Sequence, residues 1–529
     1  MRSTRRWAWL ACGMILLGAG SCAAATYKQV HRNMITALAS GRADKAAAKA
    51  EQFLEKHPGD AESHFVLACA HTALGRLDEA MAHVKAAAEA GLPVGRFLAG
   101  PRGMLGPLVE SEAFKALARD KASPLVHGPM VGTVTDSSAR FWLRTAEEAE
   151  VEVAVQPDPM REYVKPIRVK GRTRAEDDYT AVLEVTGLAS NRLYGYTVHV
   201  AGRKVPTPAS AFRTFPKAGS AARFKVAFGG GAGYTPKHEH MWNTIAKRSP
   251  LALLMLGDNV YIDTPTVPAT QRYCYYRRQS RPAWRRLVGA TAVFSIYDDH
   301  DFGTNDCVPG PDIEDPPWKR RVWQVFTQNW ANPSYGGGPE QPGCWYAFSI
   351  GDVDFFMLDC RYYRTRKGDP PTMLGPVQKA WLKRALAAST GTFKVLASSV
   401  PWAYGAKPGS PDPWQGYKEE RKELFDCLAE HKTDGVLLLS ADRHRSDYWK
   451  IERPGAYDLY EFESSRLTNI HHHGVMKGSI YGYNKTCSFG LLEFDTTSAD
   501  PTVTYRIVTI DGKAVHTFRL KRSQLSHGR

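Results

Sequence analysis

Hydrophobic positions between Tyr27 and Pro93 recur with the spacing of amphipathic helices, and the pattern occurs twice. Residues 41–46 read Gly-Arg-Ala-Asp-Lys-Ala, and residues 75–80 read Gly-Arg-Leu-Asp-Glu-Ala. Alanine at helix crossings and glycine between helices allow antiparallel helix pairs to pack closely, so we assign residues 26–100 to a short helical repeat. Fewer than about three such repeats bury too little surface to be stable alone. We therefore expect this segment to pack on its neighbour.

The pattern changes between residues 123 and 216, where apolar and polar positions alternate with a period of two. Short alternating spans such as 138–144, 151–155 and 194–200 are separated by turns that contain glycine or asparagine. Several short strands at this spacing are typical of a β-sandwich. We therefore predict a sandwich of the fibronectin or immunoglobulin kind over residues 123–216.

From Phe224 onward, continuous apolar runs alternate with helical stretches. The runs cover residues 224–228, 251–256, 292–297, 353–358, 393–398 and 435–439. Continuous apolar runs are typical of strands that are buried on both faces, so we predict an α/β domain over residues 222–517. Polar residues directly follow several of these runs, where the strands of α/β sheets open into ligand crevices.

The first residues have a separate character. Arginines precede a short apolar run, residues 7–20, which is shorter than the roughly 20 residues that a membrane span needs. This pattern is typical of an export signal, which we assign to residues 1–25. Two processing sites stay open: one would leave a lipid anchor on Cys22, and the alanines at 23–25 suit an ordinary signal peptidase. We expect an exported protein that is periplasmic, secreted or lipid-anchored at the outer surface.

The composition is that of a globular protein, with 43% hydrophobic and 23% charged residues. The formal net charge of +15 favours anionic partners, including phosphorylated polymers. A generally basic exported protein is the alternative explanation of this charge. None of the nine cysteines forms a C-x-x-C pair, which argues against a structural zinc site of the usual spacing.

Three of the predicted strand ends are rich in oxygen ligands. They read Leu-Gly-Asp-Asn-Val-Tyr at 256–261, Tyr-Asp-Asp-His-Asp at 297–301, and Leu-Ser-Ala-Asp-Arg-His at 439–444. One aspartate after a strand is usually a turn or a helix cap, but three such ends in one domain, two of them joining Asp to His, indicate a metal site. The acidic residues of the second motif would repel one another unless cations or basic groups neutralise them.

The order of these motifs resembles that of the PhoD-like alkaline phosphatases and phosphodiesterases, within the calcineurin-like metallophosphoesterase superfamily. Matching segments also occur at 359–364 (Asp-Cys-Arg-Tyr-Tyr-Arg), 414–417 (Trp-Gln-Gly-Tyr) and 488–493 (Ser-Phe-Gly-Leu-Leu-Glu). The resemblance covers residues 123–515 and implies an α/β domain with two sheets flanked by helices. The helical segment lies outside it and resembles tetratricopeptide repeats. We interpret that segment either as a docking surface for a protein partner or as a spacer.

The resemblance implies a role for each matching residue. The metal ligands would be Asp258, Tyr261, Asp299, Asp442 and His444. His300 would protonate the leaving oxygen, and Arg361 would act with it by holding the phosphate, unless Arg361 pairs with Asp359 instead. Arg443 would be a second substrate-binding residue. The implied cofactors are two or more metal ions, Fe³⁺ and Ca²⁺.

One position departs from the family pattern. The family carries an iron-binding cysteine after its first catalytic strand, and this chain has Gly231 there. The absence of this thiolate weakens the case for iron and leaves a different metal pair open. Cys307, just after the acidic motif, is an alternative thiol ligand. The histidines at 471–473 are further candidate ligands, although we expect them to lie in a solvated loop.

Together these inferences predict an exported, metal-dependent phosphoesterase. Its substrates would be phosphodiesters, phosphomonoesters or both, attacked by a water that two cations activate. Two rivals stay open. The first is a catalytically impaired phosphate- or metal-binding module that binds a partner through its helical repeat. The second is another metallohydrolase, such as a nuclease or phospholipase, built on the same site.

Overall fold

A computed structural model describes residues 27–157, 165–368 and 370–528 of the chain. The predicted export signal and Cys22 lie outside these residues. The amino-terminal segment is helical, as predicted for residues 26–100, and two further helices extend it to Lys121. Its helices are α1 (Tyr27–Ala39), α2 (Ala43–Lys56), α3 (Ala61–Ala73), α4 (Leu77–Glu89), α5 (Gly95–Ala99), α6 (Arg102–Val109) and α7 (Glu112–Lys121). Asp60 caps α3 by accepting a hydrogen bond from the backbone of Ser63.

Short strands follow these helices. They are β1 (Leu125–Gly132), β2 (Ser138–Thr145), β3 (Glu150–Pro157), β4 (Ile167–Arg172), β5 (Thr180–Thr186), β6 (Leu193–Val200), β7 (Arg203–Val205) and β8 (Ala211–Arg213). The alternating pattern at 123–216 therefore correctly predicted strands.

The remainder of the chain mixes strands and helices. The strands are β9 (Arg223–Gly229), β10 (Ala252–Leu256), β11 (Ala292–Ile296), β12 (Tyr346–Ile350), β13 (Val353–Met357), β14 (Phe393–Ala397), β15 (Val436–Ser440), β16 (Ser446–Ile451), β17 (Leu459–Ser464), β18 (Tyr481–Tyr483), β19 (Ser488–Asp495), β20 (Thr502–Thr509) and β21 (Ala514–Lys521). The helices are α8 (Met241–Ala246), α9 (Pro268–Gln279), α10 (Pro282–Val288), α11 (Asp299–Phe302), α12 (Lys319–Thr327), α13 (Gly375–Ala388) and α14 (Lys418–Glu430).

Two large sheets form the core. One has the order β21-β20-β19-β9-β10-β11-β1-β2-β5, and the other has the order β12-β13-β14-β15-β17-β16-β18. Aromatic rings pack between them: Phe294 of β11 stacks on Phe348 of β12, with ring centroids 3.7 Å apart. Strands β10, β11 and β15 are buried along their whole lengths, as their continuous apolar runs predicted.

The strands of residues 123–216 divide between two sheets. β1, β2 and β5 extend the first large sheet, because β1 pairs in parallel with β11 at Gly132 and Val293. β3, β4, β6, β7 and β8 form a smaller sheet of their own. One layer of this segment is thus continuous with the α/β domain. Alternation along a strand shows which face is buried but does not reveal which strand pairs with its edge.

The helical segment packs against the α/β domain, as its small size predicted. Glu62 of α3 forms a buried ion pair with Arg281 and accepts a hydrogen bond from the Tyr273 hydroxyl of α9 at 2.8 Å. On α1, the Thr36 hydroxyl lies 2.9 Å from that of Thr270. Among the described helices, none is both long and apolar enough to cross a membrane.

Candidate metal centre

The carboxyl ends of β10, β11 and β15 meet at one site. Asp258 follows β10, Asp299 follows β11, and Asp442 follows β15, so two strands of the first sheet and one of the second contribute. Gly257 allows the first two turns to touch: its φ is +100°, and a Cβ there would lie 2.5 Å from the Cβ of Asp298. Convergence of strand ends from both sheets creates the crevice that the sequence predicted.

Backbone conformation directs the candidate ligands inward. Asp258, Tyr261, Asp442 and His444 have φ values of 55°, 58°, 71° and 49°. This left-handed conformation is unfavourable for residues with a side chain, and it concentrates at functional sites. The tight turns after β10 and β15 are therefore maintained by the surrounding fold, and they bring Asp258, Tyr261 and His444 into contact.

Asp258, Asp299 and His300 form the nucleus of the cluster. One candidate ligand atom from each lies within 4.8 Å of those of the other two. Asp299 accepts a hydrogen bond from the backbone N–H of His300 at 2.9 Å, which fixes the orientation of its carboxylate. All three residues were predicted from the sequence to act together, and the structure brings them together.

Tyr261 and His444 complete one side of the site. The Tyr261 hydroxyl donates to Asp258 Oδ2 at 2.7 Å and lies 3.3 Å from His444 Nε2. Burial lowers the pKa of His444 to about 4, so its imidazole is neutral, the form that binds metals. Burial and the Asp258 carboxylate raise the pKa of Tyr261 well above its usual value, so a phenolate here requires a cation.

The donor set fits hard metal cations. Within the described chain, Asp258 Oδ1 and Asp298 Oδ2 are buried without a hydrogen-bond partner. Buried carboxylate oxygens are rarely left without a partner, and an unseen ion is one of the standard explanations. Carboxylate oxygens with imidazole nitrogen suit divalent cations and exclude a purely soft-metal site.

His300 is held by a carboxylate that the sequence analysis did not single out. Its Nδ1 donates a short hydrogen bond to Asp263, and its ring stacks on Tyr261 with centroids 4.8 Å apart. Burial opposes the charged form of His300, but Asp299, Asp258 and Asp263 outweigh it and raise the pKa to about 10. Asp263 lies two positions after Tyr261 in the same strand-end motif, which is the signal that could have identified it.

Asp442 lies beside two basic side chains. Its Oδ2 lies 3.4 Å from Lys407 Nζ and 3.7 Å from the guanidinium of Arg443. Lys407 also contacts Asp306 at 2.8 Å and Asp412 at 3.2 Å. Arg443 therefore lies beside Asp442, and its role in substrate binding stays a prediction. No sequence motif marked Lys407.

Arg361 is placed differently from the sequence expectation. Its side chain is fully buried, and its guanidinium donates to Asp298 and to Asp412, the latter at 2.8 Å. Only its backbone N–H contacts Asp359, at 2.8 Å, so the alternative ion pair with Asp359 is wrong. Arg361 Nη2 also lies 3.8 Å from Asp299 Oδ1. Because Asp298 and Asp412 already engage the guanidinium, the geometry favours a positioning role over a phosphate clamp.

Gly231 explains why the expected cysteine is absent. Its φ is +65°, and a Cβ would lie 2.1 Å from the carbonyl oxygen of Ser465. The Gly231 carbonyl accepts from the backbone of Thr468 and Asn469, and the Asn469 side chain donates to Tyr261 at 2.7 Å. A segment after β17 thus fills the place of the family's thiolate. The residues present do not fit an iron site that depends on that ligand.

The other thiols and histidines lie around this core. The seven described cysteines are free, and burial raises the pKa of Cys307 to about 12, so it is a poor substitute ligand. His471 is exposed, as expected of a solvated loop, but its ring centroid is 5.2 Å from that of His444. The ring centroid of His473 lies 5.8 Å from that of His444. The loop therefore borders the site.

Comparison with known proteins agrees with the fold and the motifs. The solved structure titled "Structure of PhoD" is 17% identical, has a TM-score of 0.62, and covers 75% of this chain and 90% of its own. Alkaline phosphatase D from Bacillus subtilis (strain 168) is 24% identical over 339 residues, 54% of this chain and 57% of the relative. This chain thus spans little more than half of that relative's length.

Profile matches divide the chain in the same order. A tetratricopeptide repeat matches residues 35–91, and a domain of unknown function matches residues 122–217. The PhoD-like phosphatase profile matches residues 226–506, which is more than half of the 529 residues and includes every candidate ligand. The chain therefore belongs to the PhoD-like phosphatase family.

Proposed function

We propose that this protein is a metal-dependent phosphoesterase that hydrolyses phosphomonoesters, phosphodiesters or both. The observation that carries the proposal is the buried cluster of Asp258, Asp299 and His300, within 4.8 Å of one another and bordered by Tyr261 and His444. Within the described residues, Asp258 Oδ1 of this cluster is buried without a hydrogen-bond partner, which supports a bound cation. Family membership supports the same class of reaction.

Bound cations would supply Lewis acidity and an activated water. Asp258, Asp299, Asp442, His444 and Tyr261 would hold them. His300 would donate the proton to the leaving oxygen. Because its Nδ1 is hydrogen-bonded to Asp263, Nε2 is the nitrogen free to donate. Asp263 would keep the imidazole in this orientation.

The donor atoms support a proposal for the identity of the metal. We propose oxygen-preferring divalent cations such as Ca²⁺, because the surroundings of Gly231 leave no room for a thiolate. Fe³⁺ bound through the Tyr261 phenolate is the alternative that the family resemblance favours. Elemental analysis distinguishes the two.

We also propose the finer features that the sequence suggests. Export rests on the signal-like residues 1–25, with lipid attachment at Cys22 or cleavage after the alanines at 23–25. The net charge of +15 supports anionic polymers as partners or substrates. The tetratricopeptide match supports a protein partner at the helical segment. An immunoglobulin-like sandwich is supported by Phe141, whose ring lies 5.1 Å from Tyr196 and 5.3 Å from Phe212 of the facing sheet.

Turnover of two model esters tests the proposal. Wild-type protein, Asp258→Asn and the exposed control Asp120→Asn would be assayed with an aryl phosphate and a bis-aryl phosphate, with calcium, iron, manganese or zinc added. We expect hydrolysis of at least one ester, loss of it in Asp258→Asn, and wild-type rates in Asp120→Asn. Metal binding without turnover of either ester would favour the binding-module alternative instead.

A further inference from the structure

Helix α1 of the helical segment lies against the candidate metal centre. The Lys28 ammonium is 3.7 Å from the centroid of the Tyr261 ring, and this residue is only 8% exposed. One turn further along, Arg32 donates to the Tyr261 carbonyl at 3.0 Å and pairs with Asp263. The helical segment therefore places two cationic side chains beside residues that the α/β domain uses for chemistry.

Within the part of the chain that the structure describes, Lys28 has no direct ion-pair partner. Among the described residues, no carboxylate oxygen lies within 4 Å of its Nζ, whereas Arg32 contacts Asp263. Lysines are almost never so buried unless they are paired. The ring of Tyr261 stabilises the ammonium partly, through its π face. Burial and Arg32 disfavour the charged form of Lys28, whereas the carboxylates of Asp258, Asp263 and Asp299 act on it electrostatically in the opposite direction.

The surrounding chain makes room for this side chain and holds it. A Cβ on Gly233 would lie 2.9 Å from Lys28 Cδ, so the glycine-rich turn after β9 accommodates the lysine stem. Arg277 of α9 donates to the Lys28 carbonyl at 3.4 Å. Glu62 of α3 pairs with Arg281 and attaches a neighbouring helix to the same domain. The face of α1 that carries Lys28 is therefore packed against the α/β domain and is not a free repeat surface.

We propose that Lys28 is a substrate-binding residue, and that its ammonium contacts a non-bridging oxygen of the phosphate group. The proposal rests on the phosphoesterase function above and specifies its substrate class. A phosphomonoester carries about two negative charges near neutral pH and a diester carries one, so an added cation stabilises the bound monoester more strongly. The helical segment would thus make the enzyme selective for phosphomonoesters.

The test compares Lys28→Met, Lys28→Arg and Lys45→Met, the last an exposed lysine on α2. Measured for each are kcat/KM for an aryl phosphate and a bis-aryl phosphate, metal content and the thermal midpoint. We expect Lys28→Met to lower monoester kcat/KM by about 10- to 100-fold, the worth of one charged hydrogen bond. Diester kcat/KM should fall much less, Lys28→Arg should recover part of the monoester loss, and Lys45→Met should match wild type.

Other outcomes overturn the proposal. Equal losses for both esters with wild-type metal content would mean that Lys28 does not distinguish them, and loss of metal or of folding in both Lys28 variants would mean a structural role. If wild-type protein hydrolyses neither ester, the proposed phosphoesterase function is wrong whatever the role of Lys28. Calorimetry with inorganic phosphate then tests the contact between Lys28 and phosphate on its own. Weaker phosphate binding by Lys28→Met than by wild type supports the contact, and equal binding overturns it.

Discussion

His300 and Asp263 form a short hydrogen bond through Nδ1 of the imidazole. This bond occupies Nδ1, so Nε2 is the ring nitrogen available for proton transfer. A carboxylate that orients a histidine is a common partner of metal-site and acid–base residues. The pair makes Asp263 a positioning residue.

Replacing Asp263 tests this role. We expect Asp263→Asn to lower kcat by about 10- to 100-fold, the usual cost of losing such a partner. Because the Asp263 charge raises the pKa of His300, its removal lowers that pKa, and His300 then loses its proton at lower pH. The alkaline limb of the kcat profile should therefore move to lower pH. An unchanged profile, equal to that of the exposed control Asp120→Asn, would contradict the assignment.

Removal of metal ions should destabilise the fold. Asp258 and Asp299 lie together in a buried site. Cations that bind only the folded state stabilise it by about 2.7 kcal/mol at 100 times their dissociation constant. A chelator should lower the thermal midpoint of wild-type protein, and added Ca²⁺ should restore it. Asp258→Asn should respond much less. Identical midpoints with and without chelator would contradict a metal centre here.

Gly231 should not accept the cysteine that the family carries. Gly231→Ala adds both the cost of a left-handed residue, about 1–2 kcal/mol, and a clash with the Ser465 carbonyl. Gly41→Ala is the matched control, because Gly41 has a φ of +72° and open space around it. We expect Gly231→Ala to lower the denaturant midpoint clearly more than Gly41→Ala. Equal effects would show that the Ser465 segment yields easily.

Arg361 should matter for stability more than for substrate affinity. Arg361→Met leaves Asp298 and Asp412 buried without this partner, which costs about 3–5 kcal/mol. The exposed Arg119→Met serves as control. A large fall in the thermal midpoint is the expected result. Wild-type stability with a raised KM would instead restore the phosphate-clamp role that the family resemblance implied.

The sequence predicts the parts of this protein that depend on local pattern. Buried strands such as β10 and β15 follow from continuous apolar runs, and their polar ends, with Asp258 and Asp442, follow from the rule that crevices open at strand ends. Pairing between distant segments does not follow. Neither the β1–β11 contact nor the approach of Asn469 to Tyr261 has a periodic signal.

Lys28 and Arg361 both have contacts that the sequence pattern does not reveal, for different reasons. Lys28 lies in a helical repeat that the sequence places in another segment, so only tertiary packing reveals its contact with Tyr261. Arg361 lies in a recognisable motif, yet its partner Asp412 comes from an irregular segment, and the burial of both decides its role. Motifs identify chemical groups, whereas packing determines which of them face the site.

Metal content measured together with ester turnover, for wild-type protein and Asp258→Asn, decides whether Asp258 belongs to a catalytic metal centre. Elemental analysis of purified wild-type protein should find about two bound metal ions per chain, as two-metal phosphoesterase chemistry requires. Asp258→Asn should lose metal and turnover together, while Asp120→Asn keeps both. Wild-type protein that hydrolyses phosphate esters without metal, or binds none when metals are supplied, would contradict a metal centre built on Asp258.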